Sequence, residues 1–98
     1  MSTVATITSY AEARADFTWD PPARFNFARD VIDRWAADPE HLAIHWLDDA
    51  GNEKGLTFAG LAERSRRLAN ALTAAGVARG DTVVIMLGRN LEWWEVLT

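Results

Sequence analysis

The sequence has no cysteine and only one lysine, Lys54, in 98 residues. Without cysteine there is no disulfide framework, no thiolate nucleophile and no zinc-ribbon pattern. Lysine is almost absent and the net charge is −4, so the chain has no basic footprint for nucleic acid. Long apolar runs are also missing. The longest, Val83 to Leu87, is far too short to cross a bilayer. No charged n-region followed by an apolar h-region opens the chain, which argues against a secretory signal. The first residues are rich in Ser and Thr, as in a mitochondrial leader. Glu12 and Asp16 outweigh Arg14 there, so the expected compartment is the cytoplasm.

What is abundant is tryptophan, with five residues. A chain of this length makes one small domain at most and has few places to bury so many large rings. Some of them are therefore expected to face a partner or further polypeptide.

Residues 1–25 read as a peripheral lead-in, with "SYAEARADF" as a short helix and "DPP" at 20–22 as a break. Residues 26–98 read as the organised part. Asn26 is placed to cap a helix whose apolar stripe is Phe27, Val31 and Trp35, widened by Ala28 and Ile32. Asp30 and Arg34 have the spacing of an i,i+4 pair on the opposite face. "LAIHWLDD" predicts a strand with Leu42, Ile44 and Trp46 on one side. "DAGN" predicts a turn and "EKGLTF" a returning strand, giving an antiparallel hairpin.

Thr57 is the expected cap of the strongest helix. Its residues Phe58, Leu61, Ala62, Ser65, Leu68, Ala69, Leu72 and Ala75 fall within an arc of roughly 140°. Glu63 and Arg67 pair on the outer face, and Gly76 fits a left-handed C-cap. "RGD" at 79–81 is turn punctuation. "TVVIML" predicts a strand covered on both faces. Asn90 is placed to cap a last helix carrying Trp93, Trp94 and Leu97. That helix is so apolar that most of its sides must be covered, since each exposed tryptophan would forgo about 2–3 kcal/mol of burial. No cap, basic turn or proline closes it before Thr98. The expected class is α/β: an N-terminal helix, a hairpin, a long amphipathic helix and a buried strand.

Each candidate for chemistry has a plainer explanation. His41 and His45 are four apart, but four strand residues span roughly 13 Å, too far to share one metal ion. Ser65 lies on the packed face of a helix with no G-x-S-x-G elbow. Asp48, Asp49 and Glu53 cluster at a hairpin turn, where solvated turn chemistry accounts for them. "LGRN" follows a strand and could present Arg89 and backbone amides to an anion, but the glycine pattern of a phosphate loop is missing. The residues themselves thus assign no catalytic, cofactor-binding or metal position.

Taken in order, "FNFARDVIDRW", "LAIHW", "LTFAGLAERSRRLANALTAAGVARGDTVVIML" and "EWW" resemble the amino-terminal part of adenylate-forming acyl-CoA synthetases, most of all the medium-chain branch. The resemblance runs from about Phe25 to the end. Gly88 departs from it, standing where a proline commonly follows the strand. The resemblance implies part of the large amino-terminal domain of an enzyme that uses ATP, magnesium and coenzyme A. Such an enzyme turns a carboxylate into an acyl-adenylate and then a thioester. The family's phosphate loop and catalytic lysine lie further along, so the chain by itself is expected to be an inactive scaffold. Its partner would be the remainder of its own polypeptide. The alternative is a stand-alone module that homo-oligomerises through its tryptophan-rich end. A third reading, a small nucleotide-binding protein using "LGRN", predicts ATP binding by the isolated chain.

Overall fold

The computed structural model describes residues 6, 7 and 9–98. The first five residues and Thr8, on which the reading of the leader partly rests, lie outside the described residues. A first helix, α1 (Tyr10–Asp16), buries none of its side chains and touches no other helix or strand among the described residues.

The next helix departs from regular α geometry. A π-helical turn, Ala28–Ile32, runs into the short α-turn Asp33–Trp35, and the two together form α2. Asn26 caps its start as expected, its Oδ1 accepting from the Arg29 N–H at 2.9 Å. Asp30 closes the cap from the other side, accepting from the Asn26 N–H at 2.7 Å. The wider i→i+5 winding of a π-turn changes which residues stack. Asp30 therefore meets the Arg29 guanidinium at 3.3 Å rather than Arg34. The buried stripe also shifts: Ile32 enters the core, while Phe27 and Trp35 stay about half exposed. Apolar spacing identified the helix but assigned the wrong residue to its centre.

Strands β1 (Leu42–Leu47) and β2 (Glu53–Thr57) form the expected antiparallel hairpin. Its register slips between Leu42 and Ile44. The irregularity reverses the outward alternation at that end. Ala43, Ile44 and Trp46 pack on the core, and Leu42, expected beside Ile44 and Trp46, faces out.

Helix α3 (Phe58–Ala74) begins where the sequence places it, with Thr57 Oγ1 accepting from the Gly60 N–H at 3.1 Å. A Cβ at Gly60 would lie 3.0 Å from the Leu56 side chain, so the absence of one lets the first turn sit close on β2. At the other end Val77 N–H donates to Leu72 O and Gly76 N–H to Thr73 O, both at 3.0 Å, with Gly76 at φ 93°. This is a Schellman closure. Gly80 (φ 94°) and the Asp81 carboxylate, which accepts from the Ala78 N–H at 2.7 Å, make "RGD" a turn.

The segment 82–87 corrects the expectation of a buried strand. Among the described residues the sheet has two strands, and this segment belongs to neither. Val84 and Met86 are 84% and 92% exposed. An apolar run becomes a covered strand only when neighbours supply ladder partners and layers on both faces. Here the run borders a shallow groove with Leu68, Leu72 and Val96, and it has no strand partner among the described residues. The last helix, α4 (Glu92–Leu97), follows. Its start is not capped by the Asn90 side chain; the Asn90 carbonyl instead accepts from the Trp93 N–H at 3.3 Å.

The core is small: Ile32, Leu56, Leu61, Ala62 and Leu91, bordered by Ala36, Ala43, Ile44, Trp46 and Phe58. The radius of gyration is 17.5 Å, against about 13 Å for a compact domain of this length.

Candidate functional site

An open apolar groove of about 1240 Å³ lies between the hairpin and α4. Ile44, Trp46, Phe58 and Leu61 line it from the hairpin and α3 side. Phe27 and the α4 residues Trp93, Trp94 and Leu97 line it elsewhere, with Leu87–Asn90 along one edge. The Trp46 indole N–H donates to the Arg89 carbonyl at 2.6 Å, which ties the "LGRN" turn onto β1. The part of Arg89 that the fold fixes is therefore its backbone oxygen, an acceptor. Across the hairpin, Lys54 Nζ lies 5.2 Å from the centre of the Trp46 ring, a cation–π placement.

The two histidines are held apart by their surroundings. His41 packs edge-on to Trp35 and Phe58, with ring centroids 4.9 Å from each. His45 is exposed on β1 and lies 3.4 Å from Glu53. Among the described residues no group of three acidic, histidine or cysteine side chains is placed to hold a metal ion. Ser65 donates its hydroxyl to the Ala62 carbonyl at 3.0 Å, inside its own helix. The acids at the hairpin serve the turn. Asp48 accepts from the Ala50 and Asn52 N–H groups and from the Asn52 side-chain amide, at 2.7 to 2.9 Å. The Asn52 amide, then its backbone N–H, holds the Asp48 carboxyl below its ordinary range. The Asn26 N–H, then Arg29, does the same for Asp30.

Sequence reasoning missed the long-range polar contacts, among them Arg66 to Asp33 at 2.6 Å and Trp46 to Arg89. Glu95, expected on the polar edge of the last helix, turns onto α3, where its Oε1 lies 3.0 Å from Arg64 Nη1. The available signal was a lone acid inside an otherwise apolar "WWEVL" run. In sum, the groove offers apolar and aromatic surface, one committed hydrogen bond, and no nucleophile paired with a base. Its lining is mainly apolar and aromatic, the kind of surface that can cover another apolar surface.

A mixed helix-and-hairpin unit with a capped amphipathic helix, a turn and an apolar segment is what the resemblance implies. The profile of the AMP-binding enzyme family matches residues 32–98. The chain belongs to that family. Among curated proteins it is similar to mitochondrial acyl-coenzyme A synthetase ACSM2 of Rattus norvegicus, 44% identical over 82 residues, covering 76% of this chain and 14% of that protein. Acyl-coenzyme A synthetase ACSM2B of Homo sapiens is 44% identical over 84 residues, covering 78% and 14%. Human ACSM3 is 35% identical over 100 residues, covering 95% and 17%. The chain thus spans about one sixth or less of the relatives it matches.

The relatives' names overturn one expectation. All three are mitochondrial proteins, and the cytoplasmic assignment does not stand. It rested on three charges, Glu12, Asp16 and Arg14, in a stretch of α1 that lies before the family match begins. No helix among the described residues is long and apolar enough to cross a membrane.

The residues present do not fit the nucleotide, magnesium or coenzyme A that the family uses. The one lysine is committed to the hairpin face, and no Ser/Thr/Gly-rich loop lies in the sequence. No chemical step is therefore derived through those groups.

Proposed function

We propose that these residues are the amino-terminal scaffold of an AMP-forming acyl-CoA synthetase. In its intact form the enzyme joins a carboxylate, a medium-chain fatty or aromatic acid, to coenzyme A at the expense of ATP. An acyl-adenylate is the intermediate, and AMP and pyrophosphate are released. The kinship across residues 32–98 carries this reading. Two physical observations support it: the expanded shape of the chain, and the apolar groove and 82–87 face that stand open beside a small core. A face of this kind is what a scaffold presents to the rest of a larger domain. The same relatives make the mitochondrion the proposed compartment.

Within this reading no catalytic, cofactor-binding or metal residue is assigned to the chain. Residues 1–25 are a lead-in, and 26–98 are part of the adenylate-forming domain. Adenylation depends on electrostatic stabilisation of phosphate charge, and the groove holds no cationic cradle. The test is direct. The purified chain is incubated with ATP, magnesium, octanoate and coenzyme A, and thioester is measured. No product above background is expected; turnover would show that catalytic groups lie within these residues after all.

A second reading is favoured by the exposure of Val84 and Met86. In that reading the chain is a stand-alone module that homo-oligomerises through its tryptophan-rich end, where Trp94 and Leu97 are also half exposed.

A further inference from the structure

We propose that the Arg64–Glu95 pair is a register key that fixes where α4 lies on α3. The apolar residues of this segment cannot do that by themselves. Leu91 is buried, but Trp94 and Leu97 are half exposed and Trp93 partly so. Apolar attraction is non-directional, so a six-residue helix with such rings could lie on α3 in more than one rotation. Leu91 anchors its start in the core, but no side-chain cap hydrogen bond adds direction there. The Trp46–Arg89 bond fixes the chain only at the turn before the helix.

Glu95 supplies the missing restraint. Its side chain is 13% exposed and 3.0 Å from Arg64, which comes from the first half of α3. Oε1 is buried without a well-aligned hydrogen bond, so among the described residues the ion pair is its compensation. A carboxylate in that position must face its cation or carry a desolvation penalty. A rotation that carried Glu95 away from Arg64 would take that cation from its carboxylate. The pair accordingly adds little net stability and a large preference for one arrangement. A buried polar contact acting through register in this way is a known device in helical assemblies.

The readout that separates a key from simple adhesion is the number of arrangements. The five tryptophans provide five indole N–H resonances, and those of Trp93 and Trp94 report α4 directly. In the wild-type chain one resonance per ring is expected. In Glu95→Gln, which keeps the shape and removes the charge, the Trp93 and Trp94 signals should split or broaden. The Trp46 signal, set by its bond to Arg89, should stay in place. Amide exchange over 92–97 should quicken several-fold while that of β1 and β2 is unchanged. The swapped pair Arg64→Glu with Glu95→Arg should restore single signals that either reversal alone disturbs. Single Trp93 and Trp94 signals in Glu95→Gln would overturn the proposal. So would a swapped pair no better than either reversal, or multiple α4 signals in the wild type. Where a reversal unfolds the chain, seen as loss of Trp46 dispersion, Glu95→Gln decides.

Discussion

The two ends of α3 are built from similar residues but end in different surroundings. The first half carries Leu61 and Ala62, which are 4% and 2% exposed. β2 lies close over Gly60, and Ile32 arrives from α2. The second half continues the same stripe through Leu68, Leu72 and Ala75, yet Ala69 and Ala75 are exposed and the leucines only half covered. The segment facing it, 82–87, leaves Val84 and Met86 in solvent. Periodicity is the same in both halves. The lesson is that a stripe states which face wants covering, and only the neighbouring elements decide whether it is covered.

The sharpest way to break this comparison is to cut a leucine from each half. Leu61→Ala should cost about 2–5 kcal/mol, as for a closed core position, enough to abolish a cooperative urea transition in so small a core. Leu72→Ala should cost no more than about 1 kcal/mol, because much of its surface is already in water. Far-UV circular dichroism during urea unfolding measures both. Equal costs would mean that the second half is covered in solution.

Association tests the open side more directly. Val84→Glu combined with Met86→Glu removes the two most exposed apolar side chains of the segment. Stability should change by no more than about 0.5 kcal/mol for each surface substitution, while any oligomer formed through this face should fall to monomer. Light scattering over a concentration series reads the mass. A wild-type chain that stays monomeric at high concentration would remove the self-association reading.

Helix capping extends the contrast to chain termini. Thr57→Ala removes the bond to Gly60 and should cost about 1 kcal/mol. Asn90→Ala removes a residue whose side chain caps nothing, so its effect should be close to zero. Thermal unfolding of the two variants gives the difference. A loss at Asn90 matching that at Thr57 would mean that the side chain swings onto the helix in solution.

These contrasts mark what could be read from the residues. Thr57, Gly76 and the "DAGN" turn were legible because each rests on a contact within a few positions. Helix α3 and the hairpin followed from periodicity sustained over many residues. Three features were not legible. The π-turn exchanges Phe27 and Trp35 for Ile32 at the core, and spacing of four fits either winding. The register slip between Leu42 and Ile44 has no turn residue to mark it in the sequence; nearby, the Leu42 side chain reaches over Gly55, where an added Cβ would come within 3.2 Å of it. The Arg64–Glu95 pair joins positions far apart in sequence, and the lone acid in "WWEVL" hinted at a partner without identifying it. At the site, local chemistry offered plainer readings for His41, His45 and Ser65 before any contact was known. Kinship supplied the enzyme class.

The smallest expected effect belongs to the well-formed hairpin. Asp48 holds its turn by accepting from Ala50 and Asn52, and these contacts keep its carboxyl below the ordinary range, the Asn52 side-chain amide contributing most. A carboxyl lowered on folding binds protons less readily in the folded chain than in the unfolded one. Its contribution to stability is therefore complete above the unfolded value, near about 4. It is lost as pH falls through the lower folded value. Asp48 lies at the surface with its side chain partly exposed, so the effect should be modest. Asp48→Asn should flatten the acid limb of the stability–pH curve between pH 5 and the acid transition, with the same stability change at pH 6 and pH 8. Urea midpoints across that range make the comparison. An acid limb unchanged in Asp48→Asn would mean that the turn is held by Gly51 and the strand ladder, and that the carboxylate only decorates it.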